Sequence, residues 1–128
     1  MTARDTQGIL RSLYDSAENI LRTDVSHVQE RVEIIEAEQP GAGGSFVVTT
    51  ENLGYSSSRI LFEVDGATTL DIFYSGDGVE FGDTPSDTLT FAGSGFDLAS
   101  SDVPLWASYV KVLSSADVEI NGDIFRSR

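Results

Sequence analysis

From residue 45 onward the sequence consists of short β-rich runs separated by turn residues, and this feature most limits the folds open to the chain. The runs are rich in Val, Ile, Phe, Tyr and Thr, and no helical periodicity lies between them. Such spacing is typical of an antiparallel sandwich and not of a parallel α/β sheet. The predicted strands cover residues 45–50, 59–64, 69–74, 88–91, 109–113 and 118–125.

Turn residues connect these runs. Asp65 and Gly66 follow one predicted strand and precede the next, and Asp-Gly is a strong hairpin signal. The sequence therefore predicts a hairpin over 60–74. The glycine-rich stretches 41–44 and 93–95 match neither a dinucleotide-binding nor a P-loop spacing, so we interpret them as loops.

The segment before residue 40 has two interpretations. Four residues keep a helical spacing, namely Val25, Val28, Val32 and Ile35. Val32 and Ile34 also alternate as in a strand, and residues 23–26 resemble a break. We predict a first strand over 31–38, with a longer helical stalk as the alternative.

Residues 2–21 have the pattern of an amphipathic helix. Their apolar residues recur at steps of three and four: Ile9, Leu10, Leu13, Tyr14, Ala17, Ile20 and Leu21. Thr2 with Asp5 offers an N-terminal cap. Part of the same set fits two heptads and predicts an anchor or oligomerisation face, formed by Leu10, Leu13, Ala17 and Ile20. Docking of this helix on its own domain is the alternative.

Together these patterns predict a mainly β protein. The expected fold is a jelly-roll-like antiparallel β-sandwich over residues 31–128, preceded by an N-terminal helical segment over residues 1–30.

The charge of the chain restricts its partners. It has 21 Asp and Glu against 8 Lys and Arg, a net charge of -13, while 40% of its residues are hydrophobic, too many for a disordered acidic tail. Molar salt shortens the Debye length to about 3 Å and removes most of the self-repulsion. The composition therefore predicts a halophilic source, with an acidic mesophilic domain as the alternative. It argues against nucleic acid and anionic membranes as partners.

The chemical groups that enzymes use are scarce. The chain has no cysteine, its one histidine is His27, and it has no Gly-x-Ser-x-Gly motif. Its many carboxylates include no pair that stands apart from the acidic surface. We therefore predict a protein that is not an enzyme and that needs no cofactor.

A metal loop is the only cofactor site that the acidic residues suggest. The spacing of Asp77, Glu80 and Asp83 fails the EF-hand pattern. A looser cation site formed by Asp77, Asp83 and Asp87 remains an alternative.

Aromatic residues suggest a second kind of site, because aromatic planes stack on sugar rings. Tyr55 and Phe96 are the candidate glycan contacts, whereas Trp106 and Tyr109 are predicted to pack in the core. No apolar run exceeds three residues, so we expect neither a transmembrane helix nor a signal peptide, and a protein made soluble inside a cell.

Two stretches resemble a known group of proteins: VDGATTLDIFYSGDGVEF at 64–81 and WASYVKVLSSADVEINGDIF at 106–125. They are similar to the β-sandwich domains of tailed-virus virion proteins, which in outline resemble discoidin-like and carbohydrate-binding modules. The matching features are a Ser-x-Asp-Gly turn at 75–78, Phe81 three residues later, and the strand YVKV at 109–112.

The resemblance, with the halophilic composition, implies a structural protein of a haloarchaeal tailed virus. The expected location is the virion, assembled in the host cytoplasm, and the expected partners are copies of itself and other virion proteins. A capsid decoration or vertex protein and a tail or baseplate adaptor are equal alternatives. The rival hypothesis is a module that attaches to host surface glycans.

Overall fold

The structure is a computed structural model that describes residues 29–128. These residues form eight strands in two four-stranded antiparallel sheets. In chain order the strands are β1 (Gln29–Glu38), β2 (Ser45–Thr49), β3 (Ser57–Val64), β4 (Thr68–Ser75), β5 (Asp87–Phe91), β6 (Gly95–Leu98), β7 (Tyr109–Ser114) and β8 (Ile120–Ser127).

The order of the strands defines the topology. The first sheet has the order β1-β8-β3-β6 and the second has the order β2-β7-β4-β5. The chain crosses between the sheets at every connection except the one from β4 to β5. This is the strand order of an eight-stranded jelly roll, which is built from two Greek keys. The predicted antiparallel sandwich is therefore confirmed for the residues that the structure describes.

The core lies between the sheets. On the central strands every second side chain points inward, as the two-residue period of a strand requires. Both sheets contribute to one cluster of buried side chains, which includes Ile60, Phe62, Leu70, Ile72, Val110, Val112, Ile120 and Ile124. Because one cluster joins the two layers, the 29–128 region has a single hydrophobic core.

Strand β1 forms an edge of the first sheet and pairs with β8. Its register shifts on both sides of Ile35, and Ala37 takes a positive φ of 51°. The backbone N–H of Ala37 donates to Oδ1 of Asn121 at 2.8 Å, which holds the bulged chain against β8. Ile35 reaches the core through this bulge and is fully buried against Gly122.

The predicted hairpin over 60–74 is wrong. β3 and β4 follow each other directly but lie in different sheets, so the Asp65-Gly66 turn is a corner between layers. The reason is visible at Asp65, whose N–H donates to the carbonyl of Glu119 and whose carboxylate accepts the N–H of Glu119. These bonds tie the turn to the chain entering β8 instead of closing a hairpin.

Every predicted strand corresponds to a strand in the structure, with small shifts at the ends. The stalk alternative is wrong over 29–38, where the chain is a strand. Strand β6 corresponds to no predicted strand, and its first residue, Gly95, belongs to a stretch that the sequence predicts to be a loop. The predicted helix over 2–21, His27 and the proposed anchor face lie outside the described residues. Within residues 29–128 we find no helix with the length and apolar character that crossing a membrane requires.

Candidate interaction surface

Three long loops meet at one end of the sandwich. Residues 50–56 connect β2 to β3, residues 76–86 connect β4 to β5, and residues 99–108 connect β6 to β7. The pairing places them together because Tyr109 lies opposite both Thr49 and Ser75. Strand β1 begins at the same end, since Ser127 lies opposite both Gln29 and Ser57.

Large apolar side chains project from these loops into solvent. Leu53 is 95% exposed, Val79 78%, Leu105 67% and Trp106 65%. We call these four residues the apolar loop end. Single exposed apolar residues are ordinary, but four of the seven large apolar residues exposed within residues 29–128 lie on these three loops.

Buried hydrogen bonds join two of the loops. The hydroxyl of Thr50 donates to the carbonyl of Ala107 at 2.9 Å, and its N–H donates to the carbonyl of Ser108 at 3.0 Å. Nδ2 of Asn52 donates to the carbonyl of Pro104 at 3.3 Å. Thr50 and Asn52 are both buried. Leu53 and Leu105 therefore extend from one hydrogen-bonded platform whose backbone is already in place.

The third loop is organised by Asp77. Oδ1 of Asp77 accepts the hydroxyl of Ser75 at 2.8 Å and the N–H groups of Val79 at 2.8 Å and Glu80 at 3.0 Å. The backbone bonds from Glu80 and Val79, and then the bond from Ser75, lower the pKa of Asp77 to about 2. Its carboxylate is thus charged at neutral pH and fixes the backbone that carries Val79.

The candidate cation site is not assembled. Asp87, one of its three candidate ligands, accepts the N–H of Ser100 at 2.7 Å and the N–H of Thr88 at 2.9 Å. Among residues 29–128 no group of three His, Asp or Glu side chains could hold a metal ion, so Asp77, Asp83 and Asp87 do not form one. Asp77 and Asp87 bind their own loops instead.

A charged cluster lies where β1 begins. The hydroxyl of Tyr55 donates to Oε1 of Glu30 at 2.7 Å, and Arg126 forms an ion pair with Glu30 at 2.9 Å. The hydrogen bond from Tyr55, followed by that from Arg126, lowers the pKa of Glu30. The guanidinium groups of Arg126 and Arg128 lie 4.3 and 4.7 Å from the centre of the Tyr55 ring. Tyr55 is therefore held half-buried beside the first residues of the sandwich.

The other candidate glycan contact lies elsewhere. Phe96 is 71% exposed on the outer face of the first sheet, where it lines a groove with Leu61 and Asn121. An ion pair of 2.6 Å between Arg31 and Asp123 forms part of the groove wall. Phe96 pairs with Glu63 near the end of β3, whereas Tyr55 precedes its start, so the structure does not bring these two aromatic residues together.

The prediction that Trp106 packs in the core is wrong, because its side chain is 65% exposed. In the loop from β6 to β7 the inward positions belong to Val103 and Ala107, which are 2% and 1% exposed. Tyr109 is half-buried on the outer face of the second sheet, against Gly78. Leu105 and Trp106 form the corner of a turn in which the N–H of Ala107 donates to the carbonyl of Pro104, and both side chains project outward from it.

Comparison with protein-family models and with curated proteins gives no match. Among solved structures, the chain is similar to a protein of Bacillus endospore appendages, described as a novel family of disulfide-linked pili. The TM-score is 0.48 and the identity 21%, over 80% of this chain and 86% of that one. It is also similar to the coat protein of Tobacco streak virus, with a TM-score of 0.45 and 14% identity over 84% and 90% of the two chains. At these identities and TM-scores neither neighbour assigns a role to this chain.

Proposed function

We propose that this chain is a non-enzymatic structural protein of a halophilic tailed virus, present in many copies, whose apolar loop end is covered by a protein subunit in the assembled particle. The single observation that supports this is the exposure of Leu53, Val79, Leu105 and Trp106 on adjoining loops. Trp is enriched in the energetically dominant centres of protein interfaces, and large exposed apolar surfaces are rare on soluble monomers.

The charge of the sandwich supports the halophilic part of the proposal. Residues 29–128 carry 17 Asp and Glu against 5 Arg and Lys, a net charge of -12. In dilute buffer this charge opposes the approach of a second copy, whereas molar salt screens it within about 3 Å. An apolar contact gains relative weight under those conditions, because it is not weakened by screening. Within the virion, a decoration or vertex position and a tail or baseplate position fit equally well.

The assembly is tested by light scattering of the full chain in molar KCl. The wild-type protein is expected to have the mass of a multi-copy assembly, and the double variant Leu105→Ser, Trp106→Ser is expected to be a folded monomer. Phe96→Ser removes a similarly exposed aromatic from the outer face of the first sheet and serves as the matched control. A monomeric wild-type protein under these conditions would overturn the proposed function.

The virion assignment has its own test. Quantitative mass spectrometry of purified virions should find this chain in many copies per particle. Virions from the source that lack the chain would remove the viral assignment and leave only the assembly.

A second candidate function is attachment to host surface glycans. The observation that favours it is the exposed ring of Phe96 in a groove lined by an amide and by charged side chains. Phe96→Ala should abolish binding to immobilised neutral oligosaccharides while the protein remains folded. Val47→Ala, at a 45% exposed residue of β2 in the second sheet, should leave binding unchanged. If the wild-type chain binds none of the immobilised oligosaccharides, the glycan-binding function is rejected.

A further inference from the structure

We infer that the partner of the apolar loop end is the N-terminal segment, residues 1–28, of a second copy of this chain. The inference rests on the proposed multi-copy function. Because copies assemble in that proposal, we assign the segment to the sandwich of a second copy and not to its own sandwich. It adds the identity of the partner and the surface that receives it.

The place where the segment joins the sandwich supports this pairing. Gln29 lies opposite Ser127, and the carbonyl of Ser127 accepts the N–H of Ser56 from the loop that carries Leu53. The described chain therefore begins at the apolar loop end, where residues 1–28 are joined to it. Each copy has this junction and its receiving surface at the same end, so two copies that approach with these ends together could exchange segments reciprocally.

Charge favours the segment over a second sandwich as the covering group. Residues 1–28 carry 4 acidic and 3 basic side chains, a net charge of -1, whereas the sandwich carries -12. A second sandwich in direct contact with the apolar loop end would press two charges of -12 against each other. When the segment covers this surface instead, the two sandwiches stay separated by it, and in molar salt a separation of more than about 3 Å screens most of their repulsion.

The apolar pattern of the segment fits the receiving surface. Its apolar residues recur at helical spacing between Ile9 and Leu21, a pattern that predicts a helix with one apolar face. A helix of about 20 residues is roughly 30 Å long, about the diameter of a small domain, and would cover adjoining loops with one face. Residues 22–28 separate this pattern from β1 and can span up to about 23 Å when extended, which lets the segment reach a neighbouring copy.

Complementation between two full-length variants tests the inference. Leu13→Asp places a charge in the apolar pattern of the segment and leaves the receiving surface intact. Trp106→Ser removes the largest side chain of the receiving surface and leaves the segment intact. Trp106 lies outside the buried core cluster of residues 29–128. Ser16→Asp, outside the apolar pattern, and Phe96→Ser are the matched controls.

Sedimentation velocity in molar KCl measures the result, with circular dichroism as the check of folding. The inference predicts that each variant alone sediments as a monomer, that their equimolar mixture forms a 1:1 dimer, and that both controls assemble like the wild type. The dimer forms because Trp106→Ser donates an intact segment to the intact surface of Leu13→Asp. Its single segment contact should make it weaker than the wild-type assembly.

Two other results would overturn the inference and leave the multi-copy part of the proposed function standing, and a third would overturn both proposals. If Trp106→Ser assembles alone, the segments bind one another or a different surface. If the wild-type chain assembles and the mixture of variants stays monomeric, the segment does not bind a second copy's loop end. A monomeric wild-type chain in which Leu13→Asp changes the emission of Trp106 shows docking on the chain's own surface, and that result overturns both proposals.

Trp106 is the only tryptophan, so its fluorescence reports directly on the receiving surface. The emission maximum is expected at shorter wavelength in the wild-type assembly than in the Leu13→Asp monomer. Equal maxima in an assembled wild-type protein and in the Leu13→Asp monomer would also overturn the inference.

Discussion

Gly122 lies in β8 where the first sheet has no room for a side chain. It is paired with Ile35 on β1 and with Phe62 on β3. A Cβ at position 122 would lie 2.8 Å from Cδ1 of Ile35 and 3.3 Å from its Cβ. Ile35 is fully buried, so it cannot turn into solvent to relieve the contact. We therefore expect Gly122→Ala to destabilise the sandwich through overpacking.

The size of the effect follows from the atoms involved. Overpacking of a core by one methyl group costs about 1–3 kcal/mol. At about 4 °C per kcal/mol, Gly122→Ala should lower Tm by roughly 4–12 °C. Ile35→Val removes Cδ1, the atom in closest contact, and alone costs about 0.5–1.5 kcal/mol. The double variant should be more stable than the sum of the single changes predicts, by about 1 kcal/mol.

Thermal and urea unfolding in molar KCl, followed by circular dichroism, measures all four proteins of this cycle. Gly95→Ala is the matched control, because Gly95 belongs to the same sheet and a Cβ there meets nothing within 4 Å. The reasoning is refuted if Gly122→Ala costs no more than Gly95→Ala, or if the two changes in the cycle are additive.

Three further predictions concern burial and charge. Tyr74→Phe should raise the urea midpoint of unfolding, because the buried hydroxyl of Tyr74 has no hydrogen-bond partner among residues 29–128. Burying such a hydroxyl costs about 1–3 kcal/mol, and a lower midpoint for the variant would reveal a partner. Asp77→Ala should lower Tm by its full amount above about pH 4, and the difference in Tm from the wild type should disappear as the pH falls through about 2. The reason is that the pKa of Asp77 in the folded protein lies below its ordinary value of 3.8, and a difference in Tm that does not depend on pH would contradict this. The Tm of the wild-type protein should rise between about 0.1 M and about 1 M KCl as the Debye length falls from about 10 Å to about 3 Å, and a decrease would contradict the role of charge repulsion.

The strands could be predicted where the sequence alternates between buried and exposed residues. β3 and β7 show this pattern over their whole length, and both were found. β6 could not be found in the same way, because it is a four-residue edge strand in which Phe96 and its neighbours toward Leu98 are all exposed. Without a buried residue, such a strand leaves no two-residue period of apolar side chains in the sequence.

Local sequence signals could not predict which turns connect paired strands and which connect the two sheets. Asp65-Gly66 predicts a tight reversal of the chain, and a reversal is present. Whether the next strand pairs with the last one or crosses to the other sheet depends on distant partners, here Glu119. A local turn signal contains no information about such a partner.

The candidate site could be predicted only in part. Phe96, a candidate glycan contact, is exposed, and its role stays a prediction, whereas the expectation that Trp106 packs in the core is wrong. In this loop the buried positions are occupied by Val103 and Ala107, so Trp106 between them faces the solvent. The apolar loop end depends on which side chains face outward in three separate loops, and a single sequence does not reveal this.

The central claim is that the apolar loop end is covered by another subunit in the assembled protein. Acrylamide quenching of Trp106 fluorescence across a dilution series in molar KCl tests it most directly, because Trp106 is the only tryptophan. We expect weak quenching at high protein concentration and strong quenching on dilution, with the transition at the concentration where the mass falls. Strong quenching at every concentration, while light scattering still reports an assembly, would contradict it.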